Sequence, residues 1–157
     1  MKFRRNLNLV VHVSDPEWAP YWINYKFLKK KILQIVKENS GQKYSGNHSK
    51  RKIASMMSKS EAEVEFFKLL QREVKKTSDF FNTEEEIYHI RISRVETSFR
   101  YLKENVGKYD EKIWITLLYS CLQFYKDMLF LENFAVMNYC GFSKILKKHD
   151  KHTGYAF

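Results

Sequence analysis

Phe67, Val74, Phe81, Tyr88, Val95 and Leu102 stand seven residues apart in unbroken succession. That spacing restricts the chain severely. A helix brings residues seven apart onto one face, and such a face is covered by another helix lying alongside. Val64, Ile92, Phe99 and Val106 supply much of the companion position, with Gln71, Ser78 and Glu85 as breaks in it. The phase survives Asn82-Thr83-Glu84-Glu85-Glu86, a stretch that alone reads as a fresh helix start. Kept phase predicts one long helix over residues 60–106 rather than two short ones. Ser58-Lys59-Ser60-Glu61 has the spacing of a capping box that opens it, and Gly107 closes it.

The segments on either side also read as helical. Asp15-Pro16-Glu17 supplies a capping oxygen, a first-turn proline and an acid near the helix dipole. The helix it opens runs to about Asn39, with Pro20 close enough to the start to set residues 16–20 apart as a turn. Tyr21, Leu28, Ile32 and Ile35 form its buried stripe. Tyr25 and Lys29 lie on the flank, which predicts a half-buried Lys29 beside solvated Lys26 and Lys30. Residues 39–58 are polar, glycine-bearing and basic, and read as a mobile connection with one helical turn near Lys52 to Met57. Asp110 caps a further helix whose stripe is Trp114, Leu117, Leu118, Cys121, Phe124, Tyr125, Met128 and Leu131, and Gly141 offers a left-handed stop. No segment alternates with period two over strand length. The class is all-α: two long antiparallel helices with shorter helices packed on them.

Charge narrows the partners. Against 18 acidic residues stand 28 Lys and Arg, a formal net charge of +10 that favours nucleic acid, a membrane surface or polyphosphate. Cys121 and Cys140 have neither metal-ligand spacing nor a disulfide framework, and read as reduced, buried thiols of a cytosolic protein. The N-terminal MKFRRNLNLVVHV lacks a cleavage site of small residues. The longest apolar run, residues 113–125, falls short of the roughly 20 residues a membrane span needs.

The sharpest local feature is Gly-Phe-Ser-Lys-Ile-Leu-Lys-Lys-His-Asp-Lys, residues 141–151. At about 100° per residue, Lys144, Lys147, Lys148 and Lys151 share one arc, while Phe142, Ile145, Leu146 and His149 share the other. Lysines three and four apart repel by a few tenths of a kcal/mol per pair. An anion with several charges would relieve that repulsion and add charge-assisted hydrogen bonds of about 1.5–3 kcal/mol each. A solvated face, favoured at a helix C-terminus by the dipole, fits the same pattern. Tyr25 and Lys29, one turn apart, form a second pair able to hold a phosphate oxygen; a lysine stem lying along a core tyrosine fits them equally well.

Taken together, MKF at 1–3, PEW at 16–18, YWINYKFLKK at 21–30 and GFSKILKKHDK at 141–151 stand in the order found in SPX domains, which the chain resembles from Met1 to about Gly154. Arg4 replaces the glycine that often follows MKF, and Cys140 the threonine that often precedes the GF pair. The resemblance implies one domain over 1–157: an N-terminal helical hairpin at 1–40, a basic loop at 41–59, core helices at 60–106 and 110–138, and lysine-bearing C-terminal helices at 141–157. It further implies a cytoplasmic binding module, not an enzyme, that takes inositol polyphosphates or pyrophosphates and reports phosphate status. Carried onto this sequence, Tyr25, Lys29 and Lys148 match the innermost phosphate cluster, with Lys144 beside them. Lys147 and Lys151 match the flanking surface, and Lys2 contributes from the first turn. No cofactor or metal is implied.

SPX domains usually precede a transporter, a polyphosphate polymerase or another effector domain, or act on a partner protein. The stop at Tyr155-Ala156-Phe157 reads as a domain cut from something longer. Two other functions fit the charge alone: a basic module, including Lys50-Arg51-Lys52, that binds nucleic acid or another long polyanion, and a structural helical adaptor.

Overall fold

The computed structural model describes residues 2–41, 50–107 and 110–153. Four α-helices and one 3₁₀ helix account for nearly all of them, and no strand occurs among the described residues. Helix α1 spans Lys2–Val13 and buries Leu7. Ser14 stops it, with the Ser14 hydroxyl donating to the Val11 carbonyl at 2.8 Å. Asp15 then caps the 3₁₀ helix Pro16–Tyr21 by accepting from the Glu17 amide at 2.9 Å. Pro20 lies inside this helix.

The backbone extends at Trp22, and Asn24 starts α2, Tyr25–Gly41, by accepting from the Phe27 amide at 3.2 Å. The break resets the helical phase. Tyr21 is therefore not part of the α2 stripe: it is exposed and stacks on Phe80 with centroids 4.2 Å apart. Leu28, Ile32 and Ile35 are fully buried, as the spacing predicts.

Helix α3 runs without interruption over Lys50–Glu104. The single long helix is real, but it starts eight residues before the expected capping box, which lies inside it. The expected loop at 41–59 is therefore helical from Lys50, and residues 42–49 lie outside the described residues. Gly107, with φ 86°, makes the left-handed turn after α3. Asp110 then caps α4, Glu111–Thr153, by accepting from the Lys112 amide at 3.3 Å. Gly141 does not stop this helix. It sits buried in the middle of it, where an added Cβ would stand 3.1 Å from two side-chain carbons of Ile23. The glycine serves close approach, and α4 carries the 141–151 stretch as its own last turns.

The core lies where α2, α3 and α4 meet. Leu28 and Ile32 pack with Phe66, Phe134 and Ile145, all essentially without solvent contact. Phe134 collects Trp22, Phe80 and Trp18 at centroid distances of 4.8, 5.0 and 5.9 Å. Buried Asn138 ties the 3₁₀–α2 connection to α4: its Oδ1 accepts from the Ile23 amide at 2.8 Å and its Nδ2 donates to the Phe134 carbonyl at 2.8 Å. From α3, Lys76 donates to the Trp22 carbonyl at 2.9 Å, and Glu73 accepts from the Asn24 amide at 2.8 Å.

The seven-residue series of α3 is only partly covered. Tyr88 and Leu102 are buried, Phe67, Phe81 and Val95 half-buried, and Val74 exposed, while Phe66, Leu70 and Thr77 hold the inner face. On α4, Phe124 and Leu131 are buried and Trp114, Leu117 and Cys121 half-buried, whereas Leu118, Tyr125 and Met128 are exposed. Cys121 and Cys140 are free, half-buried thiols rather than fully buried ones.

Candidate functional site

The lysine arc forms because the opposite face of the same turns is anchored. Ile145 and His149 have essentially no solvent exposure. The His149 ring lies parallel to Phe66 at 4.9 Å, meets Phe67 edge-on at 5.1 Å, and places Nδ1 3.4 Å from an Asp150 oxygen. With that face fixed, Lys144, Lys147 and Lys151 stand in solvent and Lys148 is half-buried. Lys148 donates to His152 Nε2 at 3.2 Å.

Helices α1 and α2 converge on the same end of α4 through one aromatic side chain. Phe3 meets Tyr25 edge-on at 5.1 Å, and the Lys144 ammonium lies 5.3 Å from the centre of the Phe3 ring. Three segments distant in sequence thereby share one corner. Tyr25 is half-buried, and its burial raises the pKa above the usual phenol value of 10.0, so near neutral pH its hydroxyl keeps the proton a phosphate oxygen can accept. Lys29 lies one turn further along α2 and is exposed, not half-buried. The partly covered lysine of that helix is Lys31, which pairs with Glu65 at 3.1 Å. Lys2 is exposed at the start of α1, next to Phe3.

The geometry thus draws Tyr25 and Lys144 together around Phe3. Lys147, Lys148 and Lys151 follow on the α4 turns, Lys29 on α2 and Lys2 on α1. Sequence reasoning missed Phe3 and His152. Phe3 was readable as an apolar residue among cations at the start of α1, and His152 as the residue four beyond Lys148 on a helix. Among the described residues no group of three His, Cys, Asp or Glu side chains is arranged to hold a metal ion, and no helix is long and apolar enough to cross a membrane.

The class so defined is an all-α domain in which a two-helix N-terminal segment packs against the lysine-bearing end of a long helical hairpin. Comparison adds a family likeness: residues 91–157 match the SPX domain family. SPX domain-containing protein 1 of Arabidopsis thaliana is 33% identical over 156 residues, covering 98% of this chain and 57% of that protein. SPX domain-containing protein 6 of Oryza sativa subsp. indica is 30% identical over 162 residues, covering 99% and 57%. The chain therefore spans little more than half the length of these relatives. In fold it resembles the SPX domain of Chaetomium thermophilum glycerophosphodiester phosphodiesterase 1, solved in complex with inositol hexakisphosphate. The TM-score is 0.64 at 24% identity, over 97% of this chain and 76% of that one.

Proposed function

We propose that this chain is a phosphate-status sensor module that binds inositol polyphosphates or pyrophosphates at the Tyr25–Lys144 corner. The observation that carries the reading is the convergence of α1, α2 and the end of α4 on Phe3, which sets the Tyr25 phenol of α2 and the Lys144 ammonium of α4 against one ring. The complex of the fungal SPX domain with inositol hexakisphosphate supports the ligand class.

Lys148 and Lys144 with Tyr25 and Lys29 hold the inner phosphates, and Lys147, Lys151 and Lys2 the outer ones. Lysine acts as a point charge on a flexible stem, so the site accepts clustered phosphates without demanding one fixed geometry. The module binds; it performs no chemistry on the ligand. Because the ligand touches α2 on one side and α4 on the other, its binding fixes the N-terminal helices against the hairpin, which alters what a linked effector domain or partner protein meets.

Titration calorimetry with inositol hexakisphosphate tests the assignment on the wild type and Lys148→Ala. The wild type binds and the variant binds at least about tenfold more weakly, as expected for loss of one charge-assisted contact. Equal affinities would remove Lys148 from the site. Competition with a long duplex at physiological salt checks the ligand class: displacement of the inositol phosphate by any polyanion of equal charge, with a steep salt dependence, would point to unspecific polyanion binding instead.

A further inference from the structure

The outer face of α4 carries a pattern that the core does not use. Ile115, Leu122, Leu129 and Val136 recur every seven residues, and Leu118, Tyr125 and Tyr139 hold the position three beyond. All seven are 40–75% exposed. On the other side of the same helix Phe124, Leu131, Phe134 and Gly141 are buried. Helix α4 is thus apolar on two opposed faces, of which the fold covers one. Single exposed apolar residues are ordinary. Alternating steps of three and four, sustained over about 36 Å of helix, make a seam of the kind that receives another helix.

We propose that this seam pairs with the same seam of a second copy of the chain, antiparallel, as a two-fold coiled coil centred near Leu129. Charge selects both the occupant and the direction. The seam has one break, Glu132, which takes the place due to an apolar residue; Lys126 stands exposed on its flank, 5.8 Å from the Phe130 ring. Neither makes an ion pair among the described residues. In a parallel, in-register pair Glu132 faces Glu132 of the second copy inside an apolar seam, and nothing relieves the repulsion.

The antiparallel pair removes that conflict. A side chain in the companion position then enters a hole bounded by four residues of the facing helix. With Leu129 near the two-fold axis, the hole for Glu132 consists of Leu122, Tyr125, Lys126 and Leu129 of the second copy, so carboxylate meets ammonium. The axis repeats the contact, as a self-complementary interface requires. The same register sets Leu122 against Val136 and Tyr139 of the second copy. The seam ends before Lys144, so this pairing does not depend on the ligand reading.

Sedimentation velocity over a dilution series tests it. The wild type sediments as a dimer at high concentration and dissociates on dilution. Leu122→Asp/Leu129→Asp is monomeric throughout with an unchanged far-ultraviolet circular dichroism spectrum, both side chains being exposed in the single chain. Glu132→Lys weakens the dimer by about tenfold or more through like charge beside Lys126, and Lys126→Glu/Glu132→Lys restores it to within about threefold. A wild type that stays monomeric at every concentration overturns the proposal. So does a dimer indifferent to the two leucines, or one that the charge exchange fails to restore.

Discussion

At the scale of single residues, Gly141 and Tyr88 show how one position is tied to packing or to pH. An added side chain at 141 must share space with two Ile23 carbons 3.1 Å from where its Cβ would lie. Alanine gains up to about 1 kcal/mol of helix propensity against that contact, so the two nearly offset. Valine adds two branches and forces Ile23 from its place, and Gly141→Val is expected to cost about 1–3 kcal/mol. An unchanged urea midpoint would show that α2 can move aside. Tyr88 reports pH instead. Burial, then the Asp127 and Glu84 carboxylates, push its pKa from 10.0 up to about 12. Between those values the unfolded chain has lost a proton that the folded chain keeps. The stabilisation is thus complete below pH 10 and is lost as pH rises toward 12. Tyr88→Phe should make the alkaline limb of the stability profile shallower than in the wild type. Identical limbs would place the proton elsewhere.

At the scale of elements, the periodic segments were legible and their ends were not. The seven-residue series identified α3 as one helix through a stretch that imitates a start, because only continuous helix keeps that phase. Its N-terminus was misplaced because Ser58-Lys59-Ser60-Glu61 has capping-box spacing without being a cap; local chemistry yielded to helix propagation. Gly141 was misread for a related reason. Glycine marks both a left-handed stop and a close approach, and the two differ only in what stands opposite, here Ile23 from the other end of the chain. Gly107 does have the left-handed φ of 86°, with nothing within 4 Å of an added Cβ. Gly107→Ala should therefore destabilise through the backbone alone, by about 1–2 kcal/mol, with the slope of the urea transition unchanged. A smaller shift would mean that the turn between α3 and α4 relaxes to another conformation. The lysine arc was legible from angular spacing. The exposure of Lys29 was not, since it depends on how α2 rolls against α3, where Lys31 rather than Lys29 turns toward Glu65.

At the scale of the whole molecule, a formal charge of +10 acts on a fold whose N-terminal helices meet the lysine-bearing end of α4. Repulsion among lysines from separate helices opposes that meeting, and the Phe3 ring opposes the repulsion: one edge contact holds Tyr25, and its face receives the Lys144 ammonium. Under the proposed function an inositol polyphosphate reverses the sign of the electrostatics at this corner. Ligand at about 100 times its dissociation constant adds roughly 2.7 kcal/mol of stability, which in a chain of this size raises Tm by about 5–10 °C. Sodium chloride at matched ionic strength should give far less, because screening relieves repulsion without bridging helices. Phe3→Ala separates scaffold from ligand contact. Loss of the ring edge and the cation–π contact, each near 1 kcal/mol, should weaken binding about 3- to 30-fold although Phe3 carries no charge. Phe3→Trp, which keeps a face and an edge, should recover most of it. If alanine at position 3 lowers the Tm of the free protein but leaves the affinity for inositol hexakisphosphate unchanged, Phe3 supports the fold alone and the ligand does not read the joint between α1, α2 and α4.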